Sequence, residues 1–249
     1  MYEDYLIETL ERVNNVTMVD LPLSKKDKVR ALMNITMPVS LDNTFYEKQD
    51  AFLQEELKKK KIFDTSSLNS SLSIYRGNIT AVKADAIVNA GNEELLGCFV
   101  PLHGCVDNAI HSAAGLEVRR DLMKIMKEQG KPEPVGKVKV TLGYNLPAKY
   151  IFHTVGPQVH GRLTEKDRED LTSCYLSCLE EAKRRNLKTL VFSSLSTGLY
   201  GFPIEEASKI AYSTCKKFIE EEDPTLKVVF DVFSKRDEEV YERTINNNR

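Results

Sequence analysis

The sequence lacks several features that would assign it to a common class. No apolar run reaches the roughly 18 residues that a membrane span needs, and the acidic, amphipathic residues 1–11 do not resemble a secretory signal. With 35 Lys and Arg against 37 Asp and Glu, the chain lacks the surplus of positive charge on which non-specific nucleic-acid binding depends. Neither a nucleic acid nor a membrane is therefore expected as a partner.

Cysteine is scarce, with five residues in a chain of 249. Three of them, Cys174, Cys178 and Cys215, fall within helical patterns, where a thiol is most often a small buried apolar group. An odd number of cysteines and no signal sequence predict a reducing, cytoplasmic location. In that compartment two neighbouring cysteines are more often metal ligands than a disulfide.

Two glycine-rich phosphate loops are also missing. No Gly-Lys-Ser/Thr sequence follows a glycine-rich turn, which argues against a P-loop ATPase. No Gly-x-Gly-x-x-Gly opens a first strand-to-helix turn, so a dinucleotide-dependent oxidoreductase is not expected either.

The patterns that are present divide the chain into residues 1–70 and residues 71–249. The first part predicts three helices, with Ser24 and either Asp42 or Asn43 as N-caps. The second part alternates predicted strands, at 72–75, 86–89, 138–142, 150–155, 189–193 and 228–232, with predicted helices, at 106–114, 117–129, 165–185, 203–220 and 237–245. This α/β alternation predicts a mostly parallel sheet covered on both faces, with ligands at the carboxyl ends of the strands.

One loop in the second part has the spacing of a metal site. Cys98, His103 and Cys105 form a C-x4-H-x-C pattern, and two thiolates with an imidazole suit tetrahedral Zn²⁺. No fourth local ligand is present, so the site would keep the open position that is typical of catalytic zinc. Two idle thiols and an exposed histidine explain the same spacing equally well.

Other polar residues have simpler explanations as well. Asp107 is expected at a helix start, where the helix dipole favours a carboxylate in any case. His111 and His153 lie in a helix and a strand, and each is expected to be a buried histidine with its hydrogen bonds made. Residues 193–203 combine hydroxyls, glycines and a helix start, which predicts an anion-binding loop. Phe233 fits either the core or a base-stacking platform.

Taken together, several segments resemble the macrodomain family. They are GNIT at 77–80, DAIVNAGN at 85–92, VDNAIH followed by AAG at 106–115, and STGLYGFP at 196–203. Residues 143–150 and 153–157 match the family too, and the match extends over residues 72–245. The resemblance implies a three-layer fold with a mixed, mostly parallel six-stranded sheet between helices, carrying residues 1–70 as a helical N-terminal extension of a macrodomain at 71–249.

One departure from the family pattern identifies a subgroup. Where macrodomains usually have a run of glycines, this chain has Gly-Cys-Phe-Val-Pro-Leu-His-Gly-Cys at 97–105, which resembles the zinc-containing microbial macrodomains. The resemblance implies Zn²⁺ as a cofactor. It also implies ADP-ribose and ADP-ribosylated protein as ligands, including a lipoyl-carrier protein, related to the glycine-cleavage H protein, that a sirtuin-like transferase modifies.

The resemblance also implies roles for individual residues. Asn78 and Ile79 would lie at the adenine edge, with Asn78 in place of the family's usual Asp, and Phe233 would lie against the adenine face. Asn92 and Asp107 match the catalytic pair that orients the distal ribose and a water. The diphosphate would be wrapped by one loop, namely Ser196, Thr197, Gly198, Leu199 and Tyr200, with Tyr200 near the distal ribose.

The function implied is zinc-dependent hydrolysis of mono-ADP-ribose from modified proteins, with the sugar linked to a carboxylate. Three alternatives remain at this point. The domain could bind ADP-ribose without turnover, it could remove acetyl groups from O-acetyl-ADP-ribose, or its zinc could be a structural ion with a fourth ligand from elsewhere in the chain.

Overall fold

The computed structural model describes residues 2–247, and it begins with three helices. These are α1 (Tyr2–Asn14), α2 (Lys25–Ile35) and α3 (Asn43–Lys58). The side chain of Ser24 accepts a hydrogen bond from the amide of Asp27, and Asp42 accepts one from Phe45, so both helices start at predicted caps. The apolar faces of the three helices meet in a core of their own, which also takes in Leu116 from later in the chain.

A six-stranded sheet organises the rest of the chain. Its strands are β2 (Leu72–Arg76), β4 (Ala86–Gly91), β5 (Val138–Leu142), β6 (Tyr150–Val155), β7 (Thr189–Ser193) and β8 (Lys227–Val232), and a separate parallel pair joins β1 (Phe63–Asp64) to β3 (Val82–Lys83). The sheet order is β2-β8-β7-β4-β6-β5, and every neighbouring pair is parallel except β5 with β6. The predicted mixed, mostly parallel sheet is therefore confirmed.

Helices cover both faces of this sheet. They are α4 (Val106–Ala114) and α5 (Leu116–Gln129) on one face, and α6 (Glu165–Arg184), α7 (Ile204–Glu221) and α8 (Lys235–Asn246) on the other. Alternate strand residues point to opposite faces, so that Ile87 packs in the α4–α5 core and Val88 in the α6–α8 core. The three layers follow from this alternation of apolar residues.

Several boundaries differ from the sequence prediction by a few residues, as at α8, which begins at Lys235 and not at 237. Pro203 does not lie inside α7 but precedes it as the N-cap, with φ of −61° and ψ of 125°. The pair β1–β3 was not predicted, because two-residue strands carry no measurable alternation. No helix within residues 2–247 is long and apolar enough to cross a membrane.

The parallel strands bring five loops to one edge of the sheet. The loops that follow β2, β8, β7, β4 and β6 lie along this edge in that order, because the strands are neighbours and run in the same direction. This edge carries the segments with which the sequence predicted a ligand site.

Candidate functional site

The floor of the edge is a row of buried polar residues. The strand register sets Asn89 beside His153 and Ser193 beside Asp231, and all four side chains are buried. Each lies two residues beyond an apolar residue of the α4–α5 core, so the row faces α4. Polar groups at this depth make the end of the sheet chemically distinct from its apolar middle.

Asp107 is bonded to this row from α4. It is the second residue of α4 and is buried, and its Oδ1 accepts a 2.7 Å hydrogen bond from Asn89 Nδ2. Burial raises the pKa of Asp107 to about 6, although the Asn89 hydrogen bond and the charge of Arg119 oppose this rise. The sequence placed Asp107 at a helix start but gave no sign of its contact with Asn89.

The two histidines of this region differ from each other. His153 is satisfied as expected, with Nε2 2.9 Å from the Thr141 hydroxyl, and burial lowers its pKa to about 3. In His111, burial and the neighbouring His153 and Arg119 lower the pKa well below its usual range, so the ring is neutral. Its Nε2 lies 3.4 Å from Asp107 Oδ1, yet neither ring nitrogen makes a hydrogen bond within residues 2–247, contrary to expectation.

The predicted metal ligands come together in the loop between β4 and α4. The Cys98 Sγ lies 3.5 Å from His103 Nδ1, and the three donor atoms of Cys98, His103 and Cys105 lie within 4.8 Å of one another. Tetrahedral zinc with ordinary bond lengths holds a sulfur and a nitrogen about 3.6 Å apart. The spacing and the chemistry of these donors therefore fit Zn²⁺.

Gly97 allows this loop to lie against α4. Its φ is 84°, and a Cβ at this position would stand 2.8 Å from the ring of His111. A side chain here would need both a strained backbone and a displaced histidine. The glycine therefore sets how closely the loop approaches Asp107 and His111.

Asn92 lies earlier in the same loop, and its side-chain hydrogen bonds within residues 2–247 are local. Its Oδ1 accepts from the Glu94 amide, and its Nδ2 lies 3.5 Å from the Gly97 carbonyl.

The loop after β7 is folded on itself. Ser196 has a left-handed φ of 61°, and its carbonyl accepts from the Phe202 amide at 3.0 Å, while Gly198 accepts from Gly201 at the same distance. The Ser196 hydroxyl is buried with no partner in the described chain, and a Cβ on Gly156 would stand 2.0 Å from it. The loop after β6 therefore packs directly against this one.

Tyr200 brings the β7 loop within electrostatic range of Asp107. Burial and the charges of Asp107 and Glu93 raise the pKa of the Tyr200 hydroxyl, because both carboxylates are close enough to disfavour a phenolate. Its loop neighbours Gly198 and Leu199 are exposed, and Thr197 is half-buried with its hydroxyl 3.2 Å from the Ser194 carbonyl. The structure thus brings Tyr200 and Asp107 to the same part of the edge.

The opposite end of the edge holds the predicted adenine residues. Asn78 caps a short 3-10 turn, and its Oδ1 accepts from both the amide and the hydroxyl of Thr80, at 3.0 and 2.7 Å. The side chain of Ile79 is buried in the core, so only the backbone of this residue is available to a ligand. Phe233 is 88% exposed directly after β8, which excludes the core interpretation of this residue.

Asp231 was not predicted as part of the site. Its carboxyl is buried on β8, burial raises its pKa to about 8, and Oδ1 has no hydrogen-bond partner among the described residues. An aspartate inside the apolar run Val228–Phe233 was the available signal, since a charged residue at a strand position that faces the core needs an explanation.

Comparisons with known proteins agree with this architecture. A family model described as "Macro domain" matches residues 88–211. A curated protein of Staphylococcus aureus named "Protein-ADP-ribose hydrolase" is 40% identical over 98% of this chain and 94% of its own length.

Solved macrodomains are similar to this chain in structure. One from Oceanobacillus iheyensis with ADP has a TM-score of 0.66 at 38% identity, covering 71% of this chain and 90% of that one. One from Trypanosoma brucei in complex with ADP-ribose has a TM-score of 0.67 at 28% identity, covering 84% and 93%.

The sequence similarity extends over nearly the whole chain, and it includes the sheet edge on which the predicted ligand-binding segments converge. The chain therefore belongs to the macrodomain family.

Proposed function

We propose that this protein is a hydrolase that removes mono-ADP-ribose from modified proteins. The observation that carries the proposal is Asp107, a buried carboxylate held by Asn89 at 2.7 Å beside a cluster of three metal-ligating side chains. A domain that only bound the nucleotide would have no need of a buried carboxylate at this point. The similarity to the protein-ADP-ribose hydrolase of S. aureus supports the same activity.

The order of the loops suggests how ADP-ribose would lie. Adenine would bind between Asn78, Ile79 and Phe233 at the β2 and β8 end, and the distal ribose would bind beside Asn92 and Asp107 after β4. The loop Ser196–Tyr200, after β7, stands between them and would wrap the diphosphate with backbone amides. Three strand spacings separate β2 from β4, about 14 Å, which suits an extended nucleoside diphosphate sugar.

The proposed reaction is hydrolysis at the anomeric carbon of the distal ribose. A water oxygen bonds to this carbon, the bond from the carbon to the protein carboxylate breaks, and the carboxylate leaves with the bonding electrons. Asp107 accepts the proton of the attacking water, for which a pKa raised by burial towards neutrality is suitable. Asn89 holds Asp107 in place, and Asn92 orients the ribose.

Cys98, His103 and Cys105 are the residues that would hold Zn²⁺. When bound there, the ion supplies a Lewis-acidic position for a ribose hydroxyl or a water. Two thiolate ligands donate strongly and make a bound water less acidic. We therefore assign positioning of the ribose to the metal site and activation of the water to Asp107.

The proposed substrate is a lipoyl-carrier protein that a sirtuin-like transferase has modified on a carboxylate side chain. The resemblance of the loop 97–105 to zinc-containing microbial macrodomains supports this choice. Carriers modified on glutamate and on serine would test the linkage, and faster release from glutamate is expected.

The central experiment follows the release of ADP-ribose from a mono-ADP-ribosylated carrier, with and without a zinc chelator. Wild-type protein should release it, and Asp107→Asn should bind free ADP-ribose but release it about 10³-fold more slowly. Asp223→Asn, in the turn that precedes β8 and therefore at the opposite end of the strands, is the matched control and should retain full activity. If wild-type protein binds free ADP-ribose tightly but never releases it from the modified carrier, the protein is a binding domain and the proposed hydrolysis is wrong.

A further inference from the structure

We propose that α2 of the N-terminal segment is part of the functional site, because it braces the loop that carries the three metal-ligating side chains. Arg30 and Asn34 are the positioning residues of this brace. The inference concerns how the loop is held, and its consequence for metal binding rests on the proposed function.

Arg30 reaches from α2 to the C-terminal part of the metal-ligating sequence and to the first turn of α4. Its Nη2 donates to the carbonyl of His103 at 3.1 Å and to Oδ1 of Asn108 at 2.7 Å. His103 is a proposed ligand, and Asn108 lies three residues beyond another, Cys105. One guanidinium therefore fixes the backbone of the imidazole ligand relative to the first turn of α4.

Asn34, one turn further along α2, holds the middle of the loop. Its Oδ1 accepts from the amide of Leu102 at 2.9 Å, and its Nδ2 donates to Ser112 Oγ at 2.9 Å. Leu102 has a left-handed φ of 57°, a conformation that a leucine adopts only when its surroundings impose it. Asn34 is buried and supplies the hydrogen bond that holds this turn.

Asn108 passes the support on to the rest of the loop. This side chain is fully buried, and its Nδ2 donates to the carbonyl of Val100 at 3.0 Å and lies 3.5 Å from that of Cys98. The backbone amide of Asn108 donates to the sulfur of Cys105. The loop thus has two layers of support, an inner one from Asn108 and an outer one from α2.

Arg119 on α5 locks α2 to the same loop. Its Nη1 donates to the carbonyls of Met33 and Asn34, both at 3.0 Å, where α2 ends and backbone carbonyls lack helical partners. Its Nε donates to the carbonyl of Leu96 at 2.7 Å, and the guanidinium lies 4.1 Å from the ring centre of Phe99. Arg119 is almost completely buried, so this contact is part of the interior.

A loop held in this way has its donors in place before a metal arrives. Without the brace, binding would have to order the loop as well, and that cost would subtract from the affinity. Groups that hold metal ligands from behind typically change metal affinity by about 10- to 100-fold when they are removed. We expect changes of this size from Arg30.

The test measures zinc affinity by competition with a chromophoric chelator, together with hydrogen exchange of the Leu102 amide, in full-length protein. Arg30→Met should weaken zinc binding about 10- to 100-fold and speed exchange at Leu102. Arg30→Lys keeps a charged donor on a shorter side chain, and it should fall between Met and wild type. Asn34→Ala, which removes the acceptor of the Leu102 amide, should speed its exchange further.

Lys28→Met is the matched control. Lys28 lies on the same helix but donates only to the carbonyl of Val19, outside the loop, and its replacement should change neither readout. Thermal unfolding of each variant checks that the fold persists. Exchange at core amides of β4 and β7 should stay at the wild-type rate in Arg30→Met, because the effect is confined to the loop.

The brace and the proposed metal site fail in different ways. If Arg30→Met and Asn34→Ala bind zinc as tightly as wild type and exchange Leu102 at the same rate, the brace is wrong and the proposed function is untouched. If wild type binds no zinc, the metal site is wrong, but faster exchange at Leu102 in both variants would still support the brace.

Discussion

The two ends of the sheet edge are built in opposite ways. At the end formed by β4 and α4, Asp107 is only 6% exposed, Asn89 is bonded to it, and the loop that carries the predicted metal ligands is hydrogen-bonded to α2 and α5. At the end formed by β2 and β8, Phe233 is 88% exposed, and in the β7 loop between the two ends Leu199 is 80% exposed.

This difference indicates a division of work. Buried and bonded groups stay in one geometry, as proton transfer and metal coordination require. Exposed aromatic and apolar groups gain from the ligand that covers them, so they contribute to binding. We therefore expect changes at the β4–α4 end to act on kcat and changes at the β2–β8 end to act on KM.

The largest effect is expected from Asp107→Asn. The amide keeps the shape of the side chain but cannot accept the proton of water, so kcat should fall by about 10³-fold with little change in affinity for ADP-ribose. Single-turnover release of ADP-ribose and calorimetric binding would measure the two quantities. An equal loss of binding would contradict the division between the two ends.

Cys105→Ser is expected to have the next largest effect. Its hydroxyl preserves the cap that the Cys105 sulfur supplies to the Asn108 amide, so α4 should remain folded. A neutral hydroxyl is a poor zinc ligand, and kcat should fall by about 100-fold with a matching loss of bound metal. A variant that binds no zinc and yet works at the wild-type rate would show that the metal has no part in the reaction.

Asp231→Asn tests a buried carboxyl that lies under the binding end. Burial raises the pKa of Asp231 to about 8 from an ordinary value of 3.8, so between these values the unfolded chain loses a proton that the folded chain keeps. Stability should therefore fall as pH rises from about 4 to 8. The substitution should add about 2 kcal/mol to the free energy of unfolding at pH 8.

Below about pH 3 the carboxyl is largely protonated in both states, so the variant and wild type should then unfold alike. Denaturant unfolding at the two pH values gives the comparison. An equal gain at both would show that packing, and not ionisation, is responsible.

Phe233→Ala should have the smallest effect of the four. Stacking of a base on an aromatic ring contributes about 1–3 kcal/mol, so KM should rise roughly tenfold with kcat unchanged. Because the ring is exposed, the melting temperature should hardly move. Val19→Ala, an apolar residue 74% exposed elsewhere, is the control and should leave KM at the wild-type value. A fall in kcat would contradict the assignment of Phe233 to the end of the edge that contributes only to binding.

Most of the fold could be predicted from the sequence because its signals are local. The β-branched run at β7 and the capped helical pattern at α2 each depend on near neighbours along the chain. The cluster of predicted metal ligands could be found in the sequence for the same reason, since Cys98, His103 and Cys105 lie within eight residues of one another.

The contacts that hold the site could not be predicted in the same way. Asn89 and Asp107 are 18 residues apart, and Arg30 and Asn108 are 78 apart, so no periodicity relates them. The N-terminal helices carried no recognisable chemistry for this reason. These helices contribute through the side chains of Arg30 and Asn34, and the partners of these two side chains depend on how α2 packs against α4.

The buried position of Arg119 has a consequence for the order in which the protein is made. The carbonyls at the end of α2 accept from a residue that lies more than eighty positions later in the chain. During synthesis the N-terminal helices emerge first, yet the carbonyls of Asn34 and Thr36 can accept from Arg119 only after α5 has been made. The end of α2 can therefore take its final set of hydrogen bonds only after residue 119 has been translated.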